Sequence, residues 1–302
     1  MTVVPVILNP TAGGGRSLRY RAGLETVARA WGVDLQWRPT AAAGDGEILA
    51  RAAAEAGEEL VLAYGGDGTY NEVARGLLGS DTALGVVPGG TTSVLAYELA
   101  VPRPPPKALP ALLAGNDADL RVGATDRGDT VLLMLSAGPD AVVVRSIPPA
   151  AWRRGGKTEV LLKAIRLLLS REPMPRVRVA VDGGVTEGGW VIAGKARCYA
   201  GPYRATPGAD SSRPGFEVVV QRSVGRGAAI GFALGIPFGR HLVRRDVVRL
   251  YGEHVVISGA ENGSAVPFQV DGDAAGLLPV ELTTDPRSLR VRLPGPAGGG
   301  DS

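Results

Sequence analysis

Near its start the chain runs, three times over, from a short apolar segment directly into a loop of glycine and threonine. Val3–Leu8 leads into Asn9-Pro10-Thr11-Ala12-Gly13-Gly14-Gly15, Leu60–Ala63 into Tyr64-Gly65-Gly66-Asp67-Gly68-Thr69, and Ala83–Val87 into Pro88-Gly89-Gly90-Thr91-Thr92-Ser93. Helical patterns separate these strands. Leu24, Val27, Ala28 and Trp31 share one helix face, and Ile48, Leu49, Ala52 and Ala56 share another. Val33, Leu35 and Trp37 alternate as a further strand. Strands alternating with helices predict a parallel sheet with helices on its faces. In such a sheet the loops at the strand carboxyl ends line one crevice. Pro5 marks the first strand as an edge or a strand start, and Thr69-Tyr70-Asn71-Glu72 has the form of a capping box that opens a helix through Val73, Leu77 and Leu78.

The loop Gly65–Thr69 has two open readings. Glycines let a backbone approach a ligand closely, and N–H groups at a helix start favour phosphate. Asp67, expected in an exposed loop, then supplies a carboxylate to hold a metal or orient a polyphosphate. The plain alternative is a strand–turn–helix with a capping threonine. Convergence of all three loops favours the phosphate reading. Neither a Walker A sequence nor G-x-G-x-x-G is present.

The character changes after about residue 120, beyond the Pro102–Pro106 cluster and a short helix at Ala108–Ala114. Val131–Leu135, Arg176–Val181, Trp190–Gly194, Phe216–Val220, Val255–Ile257, Phe268–Val270 and Val280–Leu282 read as strands, interrupted by one helix at Glu159–Leu169. Strands in succession predict an antiparallel sandwich or barrel. The expected division is residues 1–121, an α/β domain, and 122–294, a β-sandwich, with a disordered tail at 295–302. The single Cys198 excludes an internal disulfide and a cysteine-based zinc cluster, and two histidines, His241 and His254, leave no helical metal pair. A net charge of +3 without a polybasic run suits a polyphosphate or an anionic membrane surface, and no nucleic-acid partner is expected. The longest uncharged apolar stretch, Gly227–Gly239, is too short to span a bilayer. No signal peptide is apparent at MTVVPVILNP, so a cytoplasmic protein is expected, peripheral to a membrane at most.

Asn9-Pro-Thr-Ala-Gly13, Gly65-Gly-Asp-Gly-Thr69 with Asn71-Glu72, and Pro88-x-Gly-Thr91 together resemble the diacylglycerol kinase catalytic domain of the lipid kinase family, which includes bacterial diacylglycerol kinase-like enzymes and sphingosine kinases. Ala137-Gly138-Pro139-Asp140-Ala141 is similar to its G-F-D-A segment, Gly155-Gly156-Lys157 to its Gly-Lys entry, and Val270-Asp271-Gly272-Asp273 to its V-D-G-E. The Gly-Gly-Asp-Gly-Thr element is shared with NAD kinases, whereas Pro88-x-Gly-Thr91 and the late Asp-Gly-Asp favour the lipid branch.

The resemblance implies an NAD-kinase-like α/β domain followed by a β-sandwich, with ATP and Mg2+ in the cleft between them and a lipid as acceptor. It implies that Asn9, Thr11, Gly13 and Thr40 approach the nucleotide. Gly65, Gly66, Asp67, Gly68 and Thr69 hold the phosphates, with Glu72 and Thr91 beside them. Asp273 becomes the general base, and Asp67 joins it as a catalytic candidate. The final strand, Leu289–Leu293, returns to the first domain. Three departures stand out. Asp273 replaces the commoner Glu, Ser93 replaces a frequent Asn, and Ser212-Arg213-Pro214-Gly215-Phe216 replaces an Asp-Asp-Gly turn that binds structural magnesium in bacterial relatives. No structural metal is therefore expected. Arg153, Arg154, Lys157, Lys163, Arg166 and Arg171, with Trp152 nearby, form either a solvated face or a contact for anionic headgroups in transient membrane association. The readings carried forward are an ATP-dependent kinase of diacylglycerol or a related lipid, an NAD kinase-like enzyme, and a decayed nucleotide- or lipid-binding protein.

Overall fold

A computed structural model describes residues 1–148, 162–163, 165–167, 173–260 and 265–296. Two compact units result. One comprises Met1–Leu120 with the segment from Arg287 onward, and the other comprises Arg121–Pro286.

The first unit is built from β1 (Thr2–Leu8), α1 (Arg21–Ala30), β2 (Val33–Pro39), α2 (Asp45–Glu55), β3 (Leu60–Gly65), α3 (Asp67–Leu77), β4 (Ala83–Pro88), α4 (Val94–Glu98) and α5 (Pro105–Leu113). Its strands lie in the order β2-β1-β3-β4, every pair parallel. All residues of β3 and β4 are buried, as expected for strands covered on both faces. Val291, in the chain's final strand, pairs with Leu84 of β4 in parallel. β1 is not an edge strand, contrary to the expectation from Pro5. It lies between β2 and β3, and the proline is tolerated because β3 pairs only with Val6–Leu8.

The second unit starts within β5 (Asn116–Thr125) and continues through β6 (Thr130–Val131), β7 (Met134–Ala137), α6 (Pro139–Arg145), β8 (Val177–Val181), β9 (Gly184–Gly188), β10 (Trp190–Gly194), β11 (Cys198–Tyr199), β12 (Tyr203–Arg204), β13 (Phe216–Gln221), α7 (Arg226–Gly235), β14 (Val247–Gly252), β15 (Val255–Gly259), β16 (Pro267–Val270), β17 (Asp273–Leu277) and β18 (Val280–Leu293). One antiparallel sheet runs β14-β13-β10-β7-β16-β17, and a second layer runs β18-β15-β8-β9. Inward residues of both layers make one core. Leu135, Val191, Val218 and Phe268 of the first layer join Val179, Val255, Ile257 and Leu282 of the second. This is the sandwich that strands in succession predict.

The sequence pattern overlooked α7, because a segment apolar on all sides has no helical stripe to detect. It also overlooked the strands β5, β9, β11, β12, β14 and β17. Of the expected helix at Glu159–Leu169, residues 162–163 and 165–167 are helical. Trp152, Arg153, Arg154, Gly155-Gly156-Lys157, Arg171 and the tail from residue 297 lie outside the described residues. Among the described residues, no helix is long and apolar enough to cross a membrane.

Candidate functional site

In the first unit the loops after β1, β3 and β4 meet through their backbones. Asn9 organises the first loop. Its Oδ1 accepts from the Thr11 N–H at 3.0 Å and the Thr11 hydroxyl at 2.9 Å, and its Nδ2 donates to Thr69 Oγ1 at 3.2 Å. Gly13, Gly14 and Gly15 follow at φ of +60°, +71° and +82°, a left-handed run that only glycine tolerates repeatedly. Thr40, half-buried after β2, donates its N–H to the Leu8 carbonyl at 2.9 Å and so stays at the same sheet edge.

The loops after β3 and β4 lie in direct backbone contact. The Gly65 carbonyl accepts from the Gly89 and Gly90 N–H groups at 2.8 and 2.7 Å. A Cβ on Gly90 would come within 2.6 Å of the Gly66 Cα, so no other residue fits there. The Tyr70 hydroxyl locks the arrangement from below. It donates to the Gly65 carbonyl at 2.7 Å, with the Val87 carbonyl at 3.1 Å and the Ser93 hydroxyl at 3.3 Å beside it. Burial raises the Tyr70 phenol well above its ordinary range, so it remains a donor. Gly68 and Thr91 are exposed at this edge.

Helix α3 begins at Asp67, two residues before the expected capping box, with Gly66 as its N-cap and no side-chain cap. Thr69 is occupied by Asn9 instead. Glu72 does not reach back to cap α3 either. Its two oxygens accept from Gly44 and Gly46 N–H groups, each at 3.0 Å. That places a carboxylate at the start of α2, where the helix dipole favours it. Asp67 differs more from expectation, being half-buried and not in an exposed loop. Its carboxylate accepts from the Val94 N–H at 2.9 Å, the Leu95 N–H at 3.0 Å and the Thr92 hydroxyl at 3.4 Å. Asp67 thus joins the start of α3 to the start of α4. Burial pushes its carboxyl pKa up, opposed by these three donors and by Arg103. Ser93 is buried at φ +47° and ψ +59°, a left-handed conformation that Asn adopts more readily.

In the second unit Asp273 opens β17, exposed and paired with Val270 across a two-residue turn. Asp271 and Gly272 form that turn at φ of +53° and +97°, the positive pair a tight hairpin requires. The turn is held from two sides. Asp271 accepts from the Leu132, Leu133 and Met134 N–H groups at 2.8, 2.8 and 2.9 Å. The Gly272 N–H donates to Gln269 Oε1 at 2.7 Å. Nearby in the sequence pattern, Asp140 of the G-F-D-A-like segment receives the Ala141 N–H at 2.8 Å and the Tyr199 hydroxyl at 3.1 Å. Burial pushes the Asp140 carboxyl up against the bonds from Ser136, Ala141, Tyr199 and Gln269. Burial also holds Tyr199 far above its ordinary value. The Asp271 clamp, Tyr70 and Tyr199 were not singled out from sequence.

The turn Ser212–Phe216, the position the resemblance associates with a structural magnesium, does not fit a divalent ion here. Arg213 and Pro214 offer no side-chain ligand. The buried Lys195 ammonium donates instead to the carbonyls of Arg213 and Gly215, the latter at 3.0 Å, with the Phe216 ring centroid 5.5 Å from its nitrogen. Desolvation lowers its pKa to about 8, so at neutral pH it is still a cation. A second cation on the same carbonyls would be repelled.

Residues 3–125 match the family described as the diacylglycerol kinase catalytic domain, and residues 133–293 match the YegS C-terminal NAD kinase beta sandwich-like domain. A diacylglycerol kinase of Bacillus subtilis (strain 168) is 25% identical over 96% of this chain and 95% of its own length. One from Mycobacterium tuberculosis (strain ATCC 25618 / H37Rv) is 26% identical with the same coverage. A solved structure of a diacylglycerol kinase from Bacillus anthracis str. Sterne superimposes with a TM-score of 0.70 at 19% identity, covering 98% of this chain and 97% of that one, and so shares its fold. The two matches together span nearly the whole chain in order, and the chain belongs to the lipid kinase family that carries the diacylglycerol kinase catalytic domain and the YegS C-terminal domain.

Proposed function

We propose that the protein is an ATP-dependent lipid kinase that transfers the γ-phosphoryl group to a hydroxyl of diacylglycerol or a related lipid, working at the cytoplasmic membrane face as a peripheral protein. The observation that carries this reading is the backbone contact between the loops Gly65–Gly66 and Gly89–Gly90. It holds the Gly89–Gly90 turn against the start of α3, whose first-turn N–H groups, that of Gly68 among them, have no side-chain cap, and a helix start of this kind favours a polyphosphate. Asn9, Thr11, Gly13, Thr40, Gly65, Gly66, Gly68, Thr69 and Thr91 line the nucleotide in this reading. Asp67 and Glu72 act as positioning residues, since their carboxylates are spent on N–H groups at the starts of α4 and α2.

Mg2+ bound with ATP would supply charge neutralisation on the transferred group. Asp273 accepts the proton of the lipid hydroxyl as its oxygen bonds to the γ-phosphorus. The bond to the β–γ bridging oxygen breaks, and ADP leaves. Its exposure keeps the carboxylate reachable by an incoming hydroxyl, and the Asp271 clamp fixes the turn that carries it. The test is incubation with radiolabelled ATP and a panel of lipids that includes diacylglycerol and NAD as a competitor acceptor. Label in an organic-soluble phospholipid, absent without added lipid, supports the reading. Label in NADP, or none in any acceptor, overturns it.

A further inference from the structure

The helix α7 and the turn that follows it are apolar on two opposite sides. From Gly227 to Gly239 there is no charged residue. One side belongs to the core of the second unit. Ala229, Phe232 and Gly235 are buried. The Phe232 ring lies 5.1 Å from Trp190 and 5.5 Å from His241, whose Nε2 is 2.9 Å from the Ala205 carbonyl. These contacts fix which side faces out. That outer side carries Ile230 and Leu234, one helical turn apart, and Phe238 is exposed in the 3-10 turn Ile236–Phe238 that follows. They are 38%, 68% and 78% exposed, and Val243 just beyond is 81% exposed. Single exposed apolar residues are common on soluble proteins, whereas four large ones exposed within fourteen residues, an uncovered phenylalanine among them, mark an interaction surface.

The charged residues that flank these side chains in sequence are basic. They are Arg222, Arg226, Arg240, Arg244 and Arg245, and no Asp or Glu occurs from residue 222 to 245. Asp246 neutralises Arg244 through two bonds of 3.0 Å, and it shares with Glu187 a pocket lined by Arg222 and Arg245. The flanking charge stays net positive, with Arg222, Arg240 and Arg245 exposed. Exposed apolar side chains flanked by cations complement an anionic lipid leaflet. Aliphatic and aromatic side chains enter the headgroup boundary while guanidinium groups meet phosphate oxygens. A second copy of this chain is a poor occupant, because a two-fold pairing through this face would set arginines against arginines. With ten residues, α7 can lie on a bilayer but not span it.

We propose that the exposed apolar side chains of α7 and the turns after it, Ile230, Leu234, Phe238 and Val243, flanked in sequence by the exposed Arg222, Arg240 and Arg245, dock the protein on an anionic bilayer surface. Docking is independent of phosphoryl transfer and is read without nucleotide, so its failure leaves the kinase reading to its own assay. The experiment is co-sedimentation of the full chain with vesicles of phosphatidylcholine alone and of phosphatidylcholine mixed with phosphatidylglycerol. Two double variants are compared, Leu234→Gln with Phe238→Gln, and Arg240→Gln with Arg245→Gln. All four positions are exposed, and an unchanged melting temperature verifies that each variant folds. The wild type should partition onto the mixed vesicles, and each double variant should lower the partition coefficient by about tenfold or more. Raising salt should weaken the wild type and have less effect on the arginine variant. Three results overturn the proposal. They are no wild-type binding, equal binding to both vesicle types, and binding that neither variant alters. A concentration-dependent dimer abolished by the Leu234/Phe238 variant reassigns the face to a second copy.

Discussion

Removing the Asp67 carboxylate should loosen the first unit before any effect on chemistry is considered. The side chain receives two backbone N–H groups, from Val94 at 2.9 Å and Leu95 at 3.0 Å, both at the start of α4. A hydrogen bond to a charged group contributes about 1.5–3 kcal/mol, and part of that is offset by burying the carboxylate. The Thr92 contact at 3.4 Å adds little. Asp67→Ala leaves both N–H groups of α4 without their acceptor, and a net loss of about 2–4 kcal/mol follows. For a unit of this size that corresponds to a fall of roughly 6–16 °C in melting temperature. Asp67→Asn is the sharper comparison. Its one carbonyl oxygen can satisfy one N–H, but its amide nitrogen then faces the other donor, so it should also melt early, by about half as much. The assay is differential scanning calorimetry of the nucleotide-free protein, with far-UV circular dichroism to follow helix content. If both variants melt within a degree or so of the wild type, the Asp67–α4 junction does not hold the loops together. Loss of turnover in a variant that melts normally would return Asp67 to direct contact with the phosphates.

The remaining predictions concern other parts of the two units. Asp273→Asn should lower kcat by about 10²–10⁴-fold with little change in ATP affinity, while Asp273→Glu should keep measurable activity; a normal kcat in Asp273→Asn removes the base. Gly90→Ala should abolish nucleotide binding, measured by calorimetric titration, because the new Cβ would meet the Gly66 Cα at 2.6 Å and force the two loops apart. Unchanged ATP affinity in that variant would show that the loops can separate without cost. Chelation of divalent ions should leave the melting temperature of the nucleotide-free protein unchanged, since Lys195 already occupies the carbonyls of Arg213 and Gly215. The same lysine has a folded pKa of about 8, below the ordinary 10.5, so between those values the unfolded chain holds more protons and stability rises with pH. Lys195→Met should flatten that rise in a pH series of urea unfolding curves, and an identical slope in the variant would place the titration elsewhere.

What the sequence makes legible here divides along a physical line. Strand and helix periodicity is local, so the order of elements in the first unit and the succession of strands in the second could be read from runs such as Leu60–Ala63 and Phe216–Val220. Glycine is also legible, because a Gly-Gly pair after a strand has few uses other than a tight turn or a close approach. The assignments that went astray depend on bonds between side chains and remote backbone. Thr69 and Glu72 have the spacing of a capping box, yet Thr69 bonds Asn9, sixty residues away, and Glu72 bonds Gly44 and Gly46. The competition is decided by tertiary neighbours that supply better-placed partners than the helix's own first turn does. Asp271 is the extreme case, since its three N–H donors lie 137 to 139 residues earlier in the chain.

The failure at α7 has the opposite cause. Gly227–Gly239 was visible as an apolar run and was weighed only as a membrane span. A helix of ten residues with a buried and an exposed apolar side shows no polar–apolar contrast, so neither periodicity nor length assigns it a role. Its outer side becomes informative only when Phe232 and His241 show which side is already packed. The same logic applies to Lys195. A lone lysine after a strand reads as a surface charge, and it becomes a structural cation only when the turn Arg213–Gly215 folds its carbonyls onto it. In both places the residue type was legible, whereas the partner that gives it a function is supplied by chain closure. That is why substitutions at Leu234, Phe238 and Lys195 test the fold's contribution, and substitutions at Gly90 and Asp273 test the motif's.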